Sequence, residues 1–111
     1  MELTKTDKQK MKAIIRKGIL NRCEEWLKET VELINKDYQE EENAFDRCME
    51  ITRRSRNFYK EAMRREDYYS DTLLLSGAGE LLRSGYLTLD DFKDVSPEIQ
   101  DAVRLWARMV D

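Results

Sequence analysis

The densest set of chemically capable side chains in this sequence is Arg53-Arg54-Ser55-Arg56-Asn57-Phe58-Tyr59-Lys60, continued by Arg64 and Arg65. Guanidinium groups interleaved with aromatic rings can hold phosphates and stack on bases, and Lys5, Lys8, Lys10, Lys12, Arg16 and Lys17 offer further phosphate contacts. The 111-residue chain nevertheless carries 20 Lys and Arg against 23 Asp and Glu, a net charge of −3. A dedicated nucleic-acid binder is usually net basic, so an intramolecular use of these cations competes with a nucleic-acid one.

Other chemistries are narrowed by what is missing. There is no histidine, which removes Ser-His and Cys-His nucleophiles, His-ligated zinc and any HExxH helix. Cys23 and Cys48 are single and distant, so they cannot assemble a four-thiolate zinc site; both read as small apolar groups on helix stripes. Glu25, Glu29 and Glu32 share a helix face, but carboxylate metal sites in bundles also draw on a histidine, and a solvated acidic face is the expectation. Asp90-Asp91-Phe92-Lys93-Asp94-Val95 has Phe at the third position of a would-be calcium loop and no glycine at the sixth. Gly77-Ala78-Gly79 lacks the Lys-Ser/Thr of a phosphate loop and is expected to terminate a helix. No catalytic set, metal or cofactor is expected, and the chain reads as non-catalytic.

These residues need elements to carry them, and the elements are helical. No glycine or proline occurs between Ile19 and Ser76, and good helix formers abound. Thr6 and Gln9 suggest a capping box, with a first helix from Asp7 to Asp37. Met11, Ile15, Gly18, Arg22, Trp26, Thr30 and Leu33 repeat at three- and four-residue steps along it, with Ile14, Ile19, Cys23, Leu27 and Ile34 widening the stripe. After the polar segment Asn35 to Asn43, the nearly heptad series Phe45, Cys48, Thr52, Ser55, Tyr59, Ala62, Glu66, Tyr69 and Leu73 predicts a second helix from 43 to 75. Its small column Cys48, Ser55, Ala62 is a candidate helix-packing surface, as are Trp26 and Trp106. The polar segment contains no breaker: a turn there gives an antiparallel hairpin, and no turn gives one long helix that must dimerise. The hairpin is the favoured reading, because the C-terminal third can then help to cover the apolar stripe.

Charge is segregated: residues 1–22 sum to +5, 23–50 to −7, 51–65 to +5 and 66–111 to −6. A reversal near residue 39 would set position i opposite about 79 − i, with the acidic C-terminal third available to the basic end. The last third is punctuated by Gly85, a Thr88–Asp91 capping box flanked by Leu87 and Phe92, and Ser96-Pro97 opening a final helix to Val110. Residues 80–110 thus read as short helices and a C-terminal helix.

Leu81 to Phe92, LLRSGYLTLDDF, resembles the Gly-x-Ile/Leu-Thr-x-acidic-acidic-Phe signature of the short C-terminal helical domains called SHOCT. That resemblance implies an oligomerisation or tethering element, over 12 of the 111 residues. The same pattern arises wherever a turn feeds a capped helix. The sequence therefore predicts an all-α single domain, a long antiparallel hairpin with two short helices and a C-terminal helix packed against it. Its expected role is a cytoplasmic protein-protein interaction, adaptor or assembly module that self-associates, of the kind found among small bacterial and phage proteins. A nucleic-acid-associated regulator is the alternative. The polar N-terminus and the lack of any run near ~20 apolar residues argue against a membrane role.

Overall fold

The structure is a computed structural model that describes residues 1–35, 43–61 and 70–109. It is a small all-α bundle: α1 spans Lys5–Asn35, α2 Asn43–Glu61, α3 Asp71–Arg83 and α4 Pro97–Met109, with a 3-10 turn at Leu89–Phe92 between the last two. Asp37 and Val110, the expected ends of the first and last helices, lie outside the described residues.

α1 begins two residues earlier than the sequence suggested. Thr4, not Thr6, closes the capping box: its Oγ1 accepts from the Asp7 amide at 3.1 Å while Asp7 Oδ2 accepts from the Thr4 amide at 3.1 Å. Asp7 does the work assigned to Gln9, because an aspartate at the third helical position reaches back as a longer side chain does.

The second correction is larger. The expected helix from 43 to 75 is not one element, since Ser70 has an extended backbone (φ −81°, ψ 151°) and its side chain accepts from the Leu73 amide, starting α3 afresh. α3 then runs straight through Gly77-Ala78-Gly79, which does not end a helix. All three are buried, and a Cβ on Gly79 would stand 2.7 Å from Trp106 Cβ and 2.9 Å from the Ala107 amide nitrogen. Gly79 is there because α4 lies against that side of α3. Its poor helix propensity is outweighed by the close packing that a bare Cα permits.

Helix α3 ends at Gly85, whose φ of +82° suits only glycine readily. Tyr86 N–H donates to Leu81 O at 3.0 Å and Gly85 N–H to Leu82 O at 3.2 Å, a paired closure of the last turn. The Thr88–Asp91 box is present, and Ser96 Oγ accepts from the Ile99 amide at the start of α4.

These elements build a head. Leu3, Met11, Ile15 and Ile19 from the start of α1 bury against Leu74, Leu75, Ala78 and Leu81 of α3, Leu87, Phe92 and Val95 of the connecting turn, and Ile99 and Val103 of α4. α3 runs alongside the first half of α1 in the same direction: Asp71 is ion-paired to Lys8 at 3.4 Å, and a Cβ on Gly18 would stand 2.9 Å from Leu81 Cδ1. Among the described residues, the second half of α1 leaves the head with Tyr86 against its first turns, through Asn21 and Arg22, and then runs beside α2, forming an arm. The molecule is accordingly long, 56 × 24 × 23 Å, with a radius of gyration of 17.3 Å. A compact chain of this length would have about 13 Å.

Candidate interaction face

In the arm α2 runs antiparallel to α1. Trp26 stacks on Phe58 with ring centroids 5.1 Å apart, Arg47 donates to Ile34 O at 3.0 Å, and Arg22 lies 3.9 Å from Glu61. The residue numbers of these pairs sum to 81–84, so position i faces about 83 − i, one helical turn away from the expected 79 − i. The chain reverses between Asn35 and Asn43, as the hairpin reading required; the polar segment itself, residues 36–42, lies outside the described residues. The helices meet sparsely, through large side chains. The small column is not the seam between them: Cys48 and Ser55 are exposed, while Arg47, Ile51 and Phe58 turn toward α1. Ala62 lies outside the described residues.

Helical phase shows where the remaining apolar residues go. Stepping roughly 100° per residue from Trp26, Leu20, Cys23, Leu27, Val31 and Ile34 occupy one sector of α1, about 60° to 140° from the side that meets α2. Stepping from Phe58 in the same way, Phe45, Cys48, Thr52, Ser55 and Tyr59 fill the same sector of α2, roughly 60° to 140°. Because the helices run in opposite directions, equal angular offsets put both stripes on one side of the arm. Leu20, Leu27, Val31, Ile34, Phe45 and Tyr59 are each between 51% and 70% exposed. Apolar side chains so exposed, gathered on one face, are unusual on a protein surface.

The opposite side of the arm is polar. Arg22, Glu25, Trp26, Glu29, Arg54, Asn57, Phe58, Glu61 and Tyr86 line an open cleft of about 250 Å³. The Arg22 guanidinium lies 5.7 Å from the Tyr86 ring centroid and 6.0 Å from that of Phe58, filling the cation position over both rings. Partial burial and a hydrogen bond to Glu25 raise the pKa of the Tyr86 phenol above its usual value. That keeps it protonated through the physiological range, the reverse of what a tyrosine base requires.

The basic cluster is divided by its helix. Arg54 borders the open cleft beside α1 and pairs with Glu50 at 3.2 Å, while Arg53, Arg56 and Lys60 face away from it. Arg64 and Arg65 lie outside the described residues. The N-terminal cations are drawn instead to the acidic last third: Lys8 pairs with Asp71, Lys17 with Asp91, and Lys10 donates to Asp94 O at 3.0 Å. Hydrogen bonds from Lys17 and from the Thr88 amide hold the Asp91 carboxyl below its usual pKa, and a hydrogen bond from the Leu3 amide does the same for Asp71. Trp106 packs over Gly79 inside the head, so of the two tryptophans only Trp26 belongs to the arm. Cys23 and Cys48 are not joined in a disulfide. In the observed register they are twelve residues apart along the arm, about 18 Å, where the expected register gave eight.

Sequence reasoning missed Leu20 and Val31, which fall outside the main periodic stripe of α1, and it assigned the Phe45–Tyr59 stripe to the interior. Among the described residues, no group of three or more carboxylates and thiols is placed to hold a metal ion, and no helix is long and apolar enough to cross a membrane. The chain matches no family model, no curated protein and no solved structure.

Proposed function

We propose that this protein is a non-catalytic interaction module in which the head is a structural anchor and the arm presents an apolar face to a protein partner. The observation that carries this reading is the shared stripe of Leu20, Leu27, Val31, Ile34, Phe45 and Tyr59, left open on one side of an arm whose other side is polar. Helices that keep such a face open in water recover its burial by docking on another helical surface. The acidic α1 half and the basic α2 add charge selectivity to that docking.

The experiment compares the natively isolated wild-type protein with a Leu27→Glu/Val31→Glu double variant. Wild type is expected to travel in a complex heavier than one chain, and the variant, with unchanged circular dichroism, as the bare chain. Both proteins running as bare chains would overturn the reading.

A nucleic-acid-associated role draws support from Arg53, Arg56 and Lys60, which face solvent with no carboxylate at ion-pair distance among the described residues. It loses Lys8, Lys10 and Lys17, which are engaged within the chain. Its mark is an affinity that falls steeply with salt.

A further inference from the structure

We infer that the partner of the arm's apolar face is a second copy of this chain, related to the first by a two-fold axis that runs along the arm between the two faces. Each α1 then lies antiparallel on the other copy's α2, and both heads stand at the same end. The inference rests on the interaction reading above and names its partner.

Three observations converge on it. The first is fit. Rotation about an axis along the arm moves no residue along it, so the hairpin's own register fixes that of the dimer, and residue i of α1 meets residue 83 − i of the partner's α2. Within a residue of those levels, Ile34 falls on the partner's Cys48, Val31 on the partner's Thr52, Leu27 on the partner's Ser55 and Cys23 on the partner's Tyr59. Ile34, Leu27 and Tyr59 each meet a Cys or Ser, while Val31 and Thr52 join two side chains of middling size. This is the complement expected of interdigitating helix faces. The small column unused inside the hairpin thus has an occupant, and the two-fold supplies it twice. The head does not obstruct the approach: Met11, Ile15, Gly18 and Ile19, which bury against it, are centred about 140° around α1 from the stripe, so the head lies behind the face.

The second is charge. From Leu20 to Asn35, α1 carries two basic and four acidic side chains, while α2 carries five basic and three acidic. The axis along the arm opposes a net-negative helix to a net-positive one in both seams. An axis across the arm would lay α1 on α1 and α2 on α2, opposing like charges. On the outer flank of each seam, Glu24 comes within one helical turn of the partner's Arg56.

The third is area. Six large side chains at the observed exposure, with the smaller residues between them, offer about 700 Å² per copy, close to the ~800 Å² per partner of a standard stable interface. A lone partner helix laid between α1 and α2 would leave the outer flank of Val31 in water; a second two-helix face covers it.

The purified protein alone decides between partners. Light scattering from about 1 µM to 1 mM is expected to show a dimer, and Leu27→Glu to weaken dimerisation at least 100-fold without changing helicity. The axis is read in a Cys23→Ser/Cys48→Ser background carrying Val31→Cys and Thr52→Cys. Within one chain these positions lie roughly 120° to 140° around their helices from the seam between α1 and α2, point apart and cannot join. Between copies they face each other at one level, whereas either cysteine alone meets its own copy only across the diagonal of the four helices. Mild oxidation is expected to give a disulfide-linked dimer from the pair and none from either single cysteine. A monomer throughout the concentration range overturns the second copy as partner. If a heavier complex still forms in the native isolate, the interaction reading survives that result. A dimer that links through either single cysteine, or that fails to link through the pair, overturns the axis along the arm.

Discussion

Gly79 and Gly85 show two different uses of the smallest side chain. At Gly79 the backbone conformation is ordinary, and the constraint is Trp106 Cβ and the Ala107 amide, neither of which can rotate away. Gly79→Ala gains about 1 kcal/mol of helix propensity but loses about 1–3 kcal/mol to overpacking, so the variant is expected to melt several degrees lower. At Gly85 nothing stands within 4 Å of an added Cβ, and the constraint is φ +82° alone. Gly85→Ala is expected to cost about 1–2 kcal/mol through the backbone. Thermal unfolding of the two variants checks both, and a Gly79→Ala protein as stable as wild type would mean that the α3–α4 contact relaxes. The sequence made one of these legible. Gly85 precedes a capped turn, and its role as a helix terminator could be read directly. Gly77 and Gly79 carry the same local signal as a terminator, and at Gly79 it is the approach of Trp106 on α4, a contact outside any local sequence window, that demands the missing side chain.

At the scale of elements, the sequence made the helices legible and left their faces uncertain. Periodicity located α1, α2 and α4 because apolar spacing and caps are local properties. It could not say which of two adjacent stripes on α2 turns inward. Phe45, Cys48, Thr52, Ser55 and Tyr59 form the more regular series, yet Arg47, Ile51 and Phe58 make the contact, because Phe58 finds Trp26 and Arg47 finds the Ile34 carbonyl. An aromatic stack is worth roughly 0.5–1.5 kcal/mol beyond area burial, enough to set the rotation of a sparsely packed helix. Trp26→Ala is expected to release α2 while sparing the head. Amide exchange in α2 should accelerate at least tenfold with α3 and α4 still protected. Equal acceleration in all three would show that arm and head unfold together.

Across the whole molecule, Asp71 and Asp91 join the first half of α1 to the last third of the chain, and both have lowered pKa values. A carboxylate that ionises more readily when folded contributes stability above its unfolded pKa of about 4 and loses it as pH falls through the lowered native value. The melting temperature is expected to hold from pH 7 to about 5 and to fall below about pH 4, more shallowly in Asp91→Asn; a variant tracking wild type would discount this carboxylate. The same tethers bear on how the chain finds its fold. The Leu3–Asp71 and Lys10–Asp94 links join residues 68 and 84 positions apart, so the head closes around a long excursion of chain, whereas the arm is a neighbour-to-neighbour structure. Loop closure of that span is slow relative to zipping an adjacent pair of helices. During synthesis, then, both helices of the arm leave the ribosome before α4, and the arm can form while the head still waits for its last helix.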